Sequence, residues 1–179
     1  MQLVIISGPP NAGKSASAEA LCQRYDRMLH IDVAALRDFL RMGRLRPWDE
    51  SAEGRQQRRL LIGSACDMAR RFLDAGYGVV IDDVVTEQEE PAYREELSTC
   101  AVPVHYVVLL PPLAVLLERE RLRPTEWHRA GRLERVYERF AARRDANVID
   151  PGDLAPDLVA DRVMALAAEG RALMHRADA

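Results

Sequence analysis

Residues 8–15 read Gly8-Pro9-Pro10-Asn11-Ala12-Gly13-Lys14-Ser15 and satisfy the pattern GxxxxGK[ST] in full. Each fixed position has a chemical reason. Gly8 and Gly13 allow the backbone to curl so that successive amide N–H groups point inward, at the spacing of phosphate oxygens. The turn from Gly8 through Pro9, Pro10, Asn11, Ala12, Gly13, Lys14 and Ser15 to Ala16, whose N–H groups come from the residues other than the two prolines, joins the start of the following helix in an anion-binding site. Lys14 adds an ammonium for the β- and γ-phosphates of a nucleotide such as ATP, and Ser15 adds a hydroxyl ligand for Mg²⁺. The motif also has the context that its mechanism demands. An apolar run, Leu3-Val4-Ile5-Ile6, precedes it and an Ala-rich helical stretch follows.

Three further acids stand where apolar runs end. Asp82 and Asp83 follow Val79-Val80-Ile81, and Asp32 follows Leu29-His30-Ile31. In open α/β sheets ligands gather at the carboxyl ends of strands, which puts all three near the phosphate turn. Neighbouring strand residues point to opposite faces, so one of the aspartate pair serves a metal. Asp82 is assigned to Mg²⁺ beside Ser15, and Asp83 to the acceptor. Asp32 suits a general base that takes the proton of an attacking hydroxyl. It equally suits an N-cap ahead of Val33, and the two roles are compatible.

Residues 118–135 are rich in arginine. Arg119 and Arg123 are four apart and share a helix face, Pro124 breaks the helix, and Gly131 gives a second flexible point. A helix, a break and a second basic helix predict a lid at about 119–135 whose Arg119 and Arg123 reach the transferring phosphoryl group. The bland reading is a solvated face of Glu–Arg pairs, since Glu118, Glu120, Glu126 and Glu134 alternate with the cations. The same acids, with no clustered aromatics, make nucleic acid an unlikely partner.

These residues need a scaffold. Short apolar runs at 3–6, 28–31, 78–81, 104–110 and 147–149 alternate with helical patterns at about 14–25, 33–42, 55–75, 88–98, from Pro111-Pro112 onward, 132–144 and 155–174. Residues 43–54 are predicted as a loop. On the long third helix the apolar stripe is expected from Leu60, Leu61, Ala65, Met68, Ala69 and Phe72. Strands so short and apolar indicate a parallel sheet covered on both faces, in a three-layer α/β/α fold. The chain of 179 residues suits one domain spanning 1–179. A net charge of −3 gives no basic field for nucleic acid, and three scattered cysteines suggest neither a disulfide framework nor a zinc site. No run approaches membrane-spanning length, so no membrane partner and a cytoplasmic location are expected.

Taken together, the Asn-Ala-Gly-Lys-Ser run, the Ile31-Asp32 strand end, the Val-Val-Ile-Asp-Asp strand, the Arg119-Glu-x-x-Arg123 run and Val148-Ile-Asp-Pro-Gly-Asp-Leu154 resemble the P-loop small-molecule kinases of the chloramphenicol phosphotransferase-like group, relatives of zeta toxins and gluconate kinases. The resemblance implies a P-loop NTPase core of five parallel strands ordered 2-3-1-4-5. It also implies ATP-dependent transfer to a hydroxyl. It would place the catalytic base on Asp32, the lid arginines on Arg119 and Arg123, a substrate contact on Arg37, and the adenine border on 148–154. The segment 41–53 carries no recognised acceptor motif; its Met42 and Trp48 line an acceptor pocket or simply pack. The expected activity is therefore an ATP- and Mg²⁺-dependent kinase acting on a small-molecule hydroxyl. Two alternatives stand beside it. A polynucleotide 5′-hydroxyl kinase would show salt-sensitive binding, and a non-catalytic ATP-binding regulator would retain ATP without acceptor-stimulated turnover.

Overall fold

The computed structural model describes residues 2–122, 131–143 and 147–175. In chain order the elements are β1 (Leu3–Ser7), α1 (Lys14–Cys22), β2 (Met28–Asp32), α2 (Val33–Asp38), α3 (Ala52–Asp74), β3 (Gly78–Asp82), α4 (Glu90–Glu96), β4 (Val104–Leu109), α5 (Leu113–Leu122), α6 (Arg132–Ala141), β5 (Val148–Ile149), α7 (Pro156–Ala168) and β6 (Leu173–His175). Five strands run parallel in the order β2-β3-β1-β4-β5. This is the three-layer α/β/α arrangement of a P-loop NTPase.

Alternation along the central strands explains the layers. Leu3 and Ile5 of β1 enter the core on the side of α3 and α4, with Cys66, Ala69 and Tyr93. Val4 and Ile6 enter the opposite core under α1 and α7, with Leu21, Val159 and Val163. Every residue of β1, β3 and β4 is buried, which is why these strands read as continuous apolar runs rather than alternating ones. Each fully buried Val, Leu or Ile contributes about 1.5–3 kcal/mol relative to exposure.

The helices differ from expectation in places. α2 stops at Asp38 rather than near Met42, and α3 begins at Ala52, where the Ser51 hydroxyl accepts the Gly54 amide. The buried face of α3 is Ile62, Ala65, Cys66, Ala69 and Leu73; Leu60 and Phe72, expected inside, are 65% and 37% exposed. The closing helix ends at Ala168, not Met174. Gly170 takes a positive φ and turns the chain into β6, which pairs antiparallel with β4 as a sixth strand. Among the described residues no helix is long and apolar enough to cross a membrane.

Candidate active site

The parallel register brings the chemistry to one edge. Ile6 of β1 and Asp32 of β2 both lie opposite Asp82 of β3, so the phosphate turn and two carboxylates meet at the carboxyl ends of three adjacent strands. The turn itself depends on its glycines. Gly8 has φ +139°, and a Cβ there would stand 2.2 Å from the Leu109 carbonyl oxygen on β4. Gly13 takes φ +93° as the residue before α1, and no side chain caps that helix. The turn's side chains therefore leave the first-turn amides of α1 to a ligand.

Lys14 lies across the turn, its Nζ donating to the Pro9 carbonyl at 3.1 Å. Burial pushes its pKa down, while the carboxylates of Asp82, Asp83 and Asp32 pull it back up. Ser15 Oγ donates to Asp82 Oδ2 at 2.5 Å. Burial would raise the pKa of Asp82, but His30, Lys14 and Ser15 outweigh it and hold the carboxyl below the usual range. A hydroxyl and an ionised carboxylate side by side are the oxygen pair that a hard cation such as Mg²⁺ takes. Among the described residues no group of three His, Cys, Asp or Glu is placed to hold a metal unaided. That suits an ion whose remaining ligands are phosphate and water.

Asp32 caps α2 through one oxygen only. Its Oδ1 accepts the amides of Ala34 and Ala35 at 2.8 and 3.1 Å. The second oxygen accepts no hydrogen bond from the described residues, so cap and open carboxylate oxygen coexist in one side chain. Asp83, expected at the acceptor, lines a cavity together with Asp32, but its oxygens are occupied. Arg58 donates to both of them at 3.1 and 2.7 Å, Tyr93 Oη donates at 2.7 Å, and the Val84 amide at 2.8 Å. Burial works against the charge on Arg58, yet Asp83 holds its pKa above the ordinary value; burial and Asp83 push Tyr93 well above its own.

Two cavities open on this edge. One, of about 510 Å³, is bounded by Asn11, Lys14, Ser15, Arg119, Pro151 and Leu154, and so joins the phosphate turn to the segment expected to border adenine. The other, of about 310 Å³, is bounded by Lys14, Ser15, Asp32, Arg37, Arg58 and Arg132, with Val33, Leu45, Pro47 and Leu61 as apolar wall. Lys14 and Ser15 line both. Arg119 sits on the first cavity, where its guanidinium donates to the Asn11 carbonyl at 3.1 Å and the Gly152 carbonyl at 3.4 Å. Arg123 and the middle of the expected lid, residues 123–130, lie outside the described residues. Arg37, for which a substrate contact was expected, lines the second cavity. Trp48 supports it indirectly, with the Arg132 guanidinium over its ring at 4.0 Å. Met42 does neither of the things expected of it and is 89% exposed.

Sequence reasoning passed over His30, Arg58, Tyr93 and Arg132. His30 Nε2 has no hydrogen-bond partner and stands 3.8 Å from Asp82 Oδ2, which raises the imidazole pKa. Its signal was the period of two along β2, which puts it on the face of Asp32. Arg58, Tyr93 and Arg132 left no local signal, because their partners are distant in sequence.

A family model described as an AAA domain matches residues 3–150. No curated protein sequence matches the chain. Among solved structures, a tunicamycin resistance protein from Deinococcus radiodurans shares 20% identity at a TM-score of 0.67, covering 96% of this chain and 97% of its own. An APS kinase from Mycobacterium tuberculosis, in complex with AMPPNP and APS, shares 17% at 0.68, covering 93% and 97%. A shikimate kinase from Acinetobacter baumannii, in complex with shikimate, shares 18% at 0.61, covering 94% and 93%. At these identities the likeness is one of fold.

Proposed function

This chain belongs to the AAA domain family, and on that premise we propose that it is an ATP- and Mg²⁺-dependent phosphotransferase that moves the γ-phosphate to a hydroxyl of a small molecule. One observation carries the reading: Lys14 and Ser15 line two separate cavities, so a phosphate held by the turn would lie between them. The larger cavity suits the nucleotide. The smaller one is lined by Asp32, one of whose oxygens accepts no hydrogen bond from the described residues, and suits the acceptor.

The residues divide the work as follows. Backbone amides from Asn11 to Ala16 and the Lys14 ammonium would hold the β- and γ-phosphates. Ser15 and Asp82 would hold Mg²⁺, which would neutralise charge building on the phosphates. Asp32 Oδ2 would take the proton of the acceptor hydroxyl as its oxygen attacks phosphorus, while Oδ1, fixed by two amides, keeps the carboxylate aimed. Arg119 would stand on the nucleotide side, over the turn, and not against the acceptor. Asp83 would act at one remove, by fixing Arg58 in the acceptor wall. Neighbours of the same fold that were solved with shikimate or with APS lend support to a small acceptor. The net charge of −3 and the size of the cavity favour one over a polynucleotide end.

The test is a screen of hydroxyl-bearing metabolites by acceptor-stimulated ADP release, repeated with Asp32→Asn. Asparagine keeps the cap and removes the base. The reading expects release for the wild type and near-complete loss for the variant. Full turnover in Asp32→Asn would remove Asp32 from the mechanism.

A further inference from the structure

Resting on the phosphotransferase reading, we propose that His30 is a positioning residue for the metal: its Nε2–H donates to Asp82 Oδ2 and holds that carboxylate with Oδ1 turned to Mg²⁺. Asp32 and Asp82 lie opposite each other on β2 and β3, so His30, two residues earlier on β2, shares the face of Asp82. That face is covered by α1, through Ala18 and Leu21. Ser15 and Glu19, four apart on α1, stand on one side of that helix. Ser15 Oγ donates to Asp82 Oδ2 at 2.5 Å, and His30 Nε2 stands 3.8 Å from the same oxygen. On the other side of the ring, Nδ1 faces the exposed Glu19 carboxylate at 3.9 Å. Among the described residues no hydrogen bond reaches Asp82 Oδ1. Both neighbours thus gather on one carboxylate oxygen and leave the other free.

His30 Nε2 is buried and has no hydrogen-bond partner among the described residues. A buried polar atom is seldom left so, because it has lost water and gained nothing in exchange. The gap to Asp82 is about 0.8 Å longer than a usual N–H···O bond, within reach of a small turn of either side chain. Asp82 has reason to be held in this way. The end torsion of an aspartate is broad and twofold, and Ser15 restrains it only from a group that would itself ligate the ion. A second donor from β2, a strand paired with β3 over its whole length, fixes the torsion from a rigid element. Outer hydrogen bonds of this kind orient metal ligands, and their loss weakens metal binding by about 10–100-fold. Leucine at position 30 would fill much of the space of the imidazole and supply no donor. Glutamine would supply one from an amide nitrogen at nearly the reach of Nε2.

The experiment compares the wild type with His30→Leu and His30→Gln. AMPPNP affinity is measured by calorimetry in EDTA and again in saturating Mg²⁺, and the gain that Mg²⁺ confers is the quantity read. The proposal expects that gain to fall about tenfold in His30→Leu and to be largely kept in His30→Gln, with affinity in EDTA equal in all three. A full gain in His30→Leu overturns it. So does an equal loss in both variants, or a matching loss in EDTA, since either marks a packing role. A second measurement uses the wild type alone. Two-bond ¹⁵N–¹H correlation of the sequentially assigned imidazole, at about pH 8 and so above the ordinary histidine range, reports which ring nitrogen carries the proton. The expected spectrum has Nε2 protonated, with a resonance that moves when AMPPNP and Mg²⁺ are added together and not with AMPPNP alone. An unprotonated Nε2 in the Mg²⁺–AMPPNP complex, or a resonance that Mg²⁺ leaves in place, overturns the proposal. A wild type with no gain from Mg²⁺ sinks the phosphotransferase reading and the ion site with it. A wild-type gain that His30→Leu retains sinks the role of His30 alone.

Discussion

The two cavities that meet at Lys14 and Ser15 are made of different materials. The proposed nucleotide side is built on a contiguous stretch of backbone, a turn with positive φ at Gly8 and Gly13 that leads into an α1 with no side-chain cap. The proposed acceptor side is lined mainly by side chains, drawn from the phosphate turn, α2, the loop before α3, α3, the end of β3 and the start of α6. A backbone site tolerates change in most of its side chains and fails when its geometry fails. A side-chain site can be retuned one residue at a time, which is how one fold serves many acceptors.

Substitutions can break that contrast, and the largest effect is expected at its hinge. Asp32→Asn should lower phosphoryl transfer by about 10²–10⁴-fold, read as acceptor-stimulated ADP release, while ATP affinity changes little. Next comes the backbone side. Gly8→Ala meets the Leu109 carbonyl at 2.2 Å on a positive-φ residue, so it should destabilise the fold by about 3 kcal/mol, seen as a lowered denaturation midpoint, and weaken nucleotide binding with it. On the acceptor side, Asp83→Ala strips Arg58 of its bidentate partner in a mostly buried setting. A loss of about 2–4 kcal/mol in urea unfolding is expected, with ATP affinity kept in the protein that remains folded. Tyr93→Phe removes one bond to the same carboxylate and should cost only about 1 kcal/mol.

The smallest effect sharpens the contrast from outside both cavities. Burial would raise Glu90, but Arg143 and Arg94 hold its pKa below the ordinary value. A carboxylate depressed in the folded state adds stability above its unfolded pKa of about 4.3, and that stability is lost as pH falls through the lower folded value. Glu90→Gln should therefore flatten the acid limb of the stability curve by under about 1 kcal/mol, measured by thermal melts between neutral pH and the acid transition.

How much of this was legible in the sequence follows the same division. The phosphate-turn motif was readable residue by residue, because the function proposed for it lies in eight consecutive positions. The placement of Asp32 and Asp82 at strand carboxyl ends was readable from where the apolar runs stop, and the structure sets the two side by side there. The strand order came through the family resemblance and the structure agrees. Asp83 was read as an acceptor contact because nothing near it in sequence announces Arg58 on α3, 25 residues earlier, or Tyr93 on α4. Arg132 was submerged in a run of alternating charges, and only the packing of α6 brings it to Trp48. β6 escaped notice because a three-residue strand after Gly170 is shorter than any period can reveal. The stripe on α3 held at Ala65 and Ala69, and at Leu61 and Met68 on the core's edge, but failed at two positions. Leu60 and Phe72 fit an apolar repeat, but the sheet takes the neighbouring face through Ile62, Cys66 and Leu73.

Calorimetric titration of ATP, with and without Mg²⁺, into the wild type, Lys14→Ala and Asp32→Asn tests the division between the two cavities most directly. Mg²⁺-dependent binding to the wild type and to Asp32→Asn, weakened about tenfold or more in Lys14→Ala, is the predicted result. Absence of Mg²⁺-dependent affinity in the wild type, or equal loss in both variants, would contradict it.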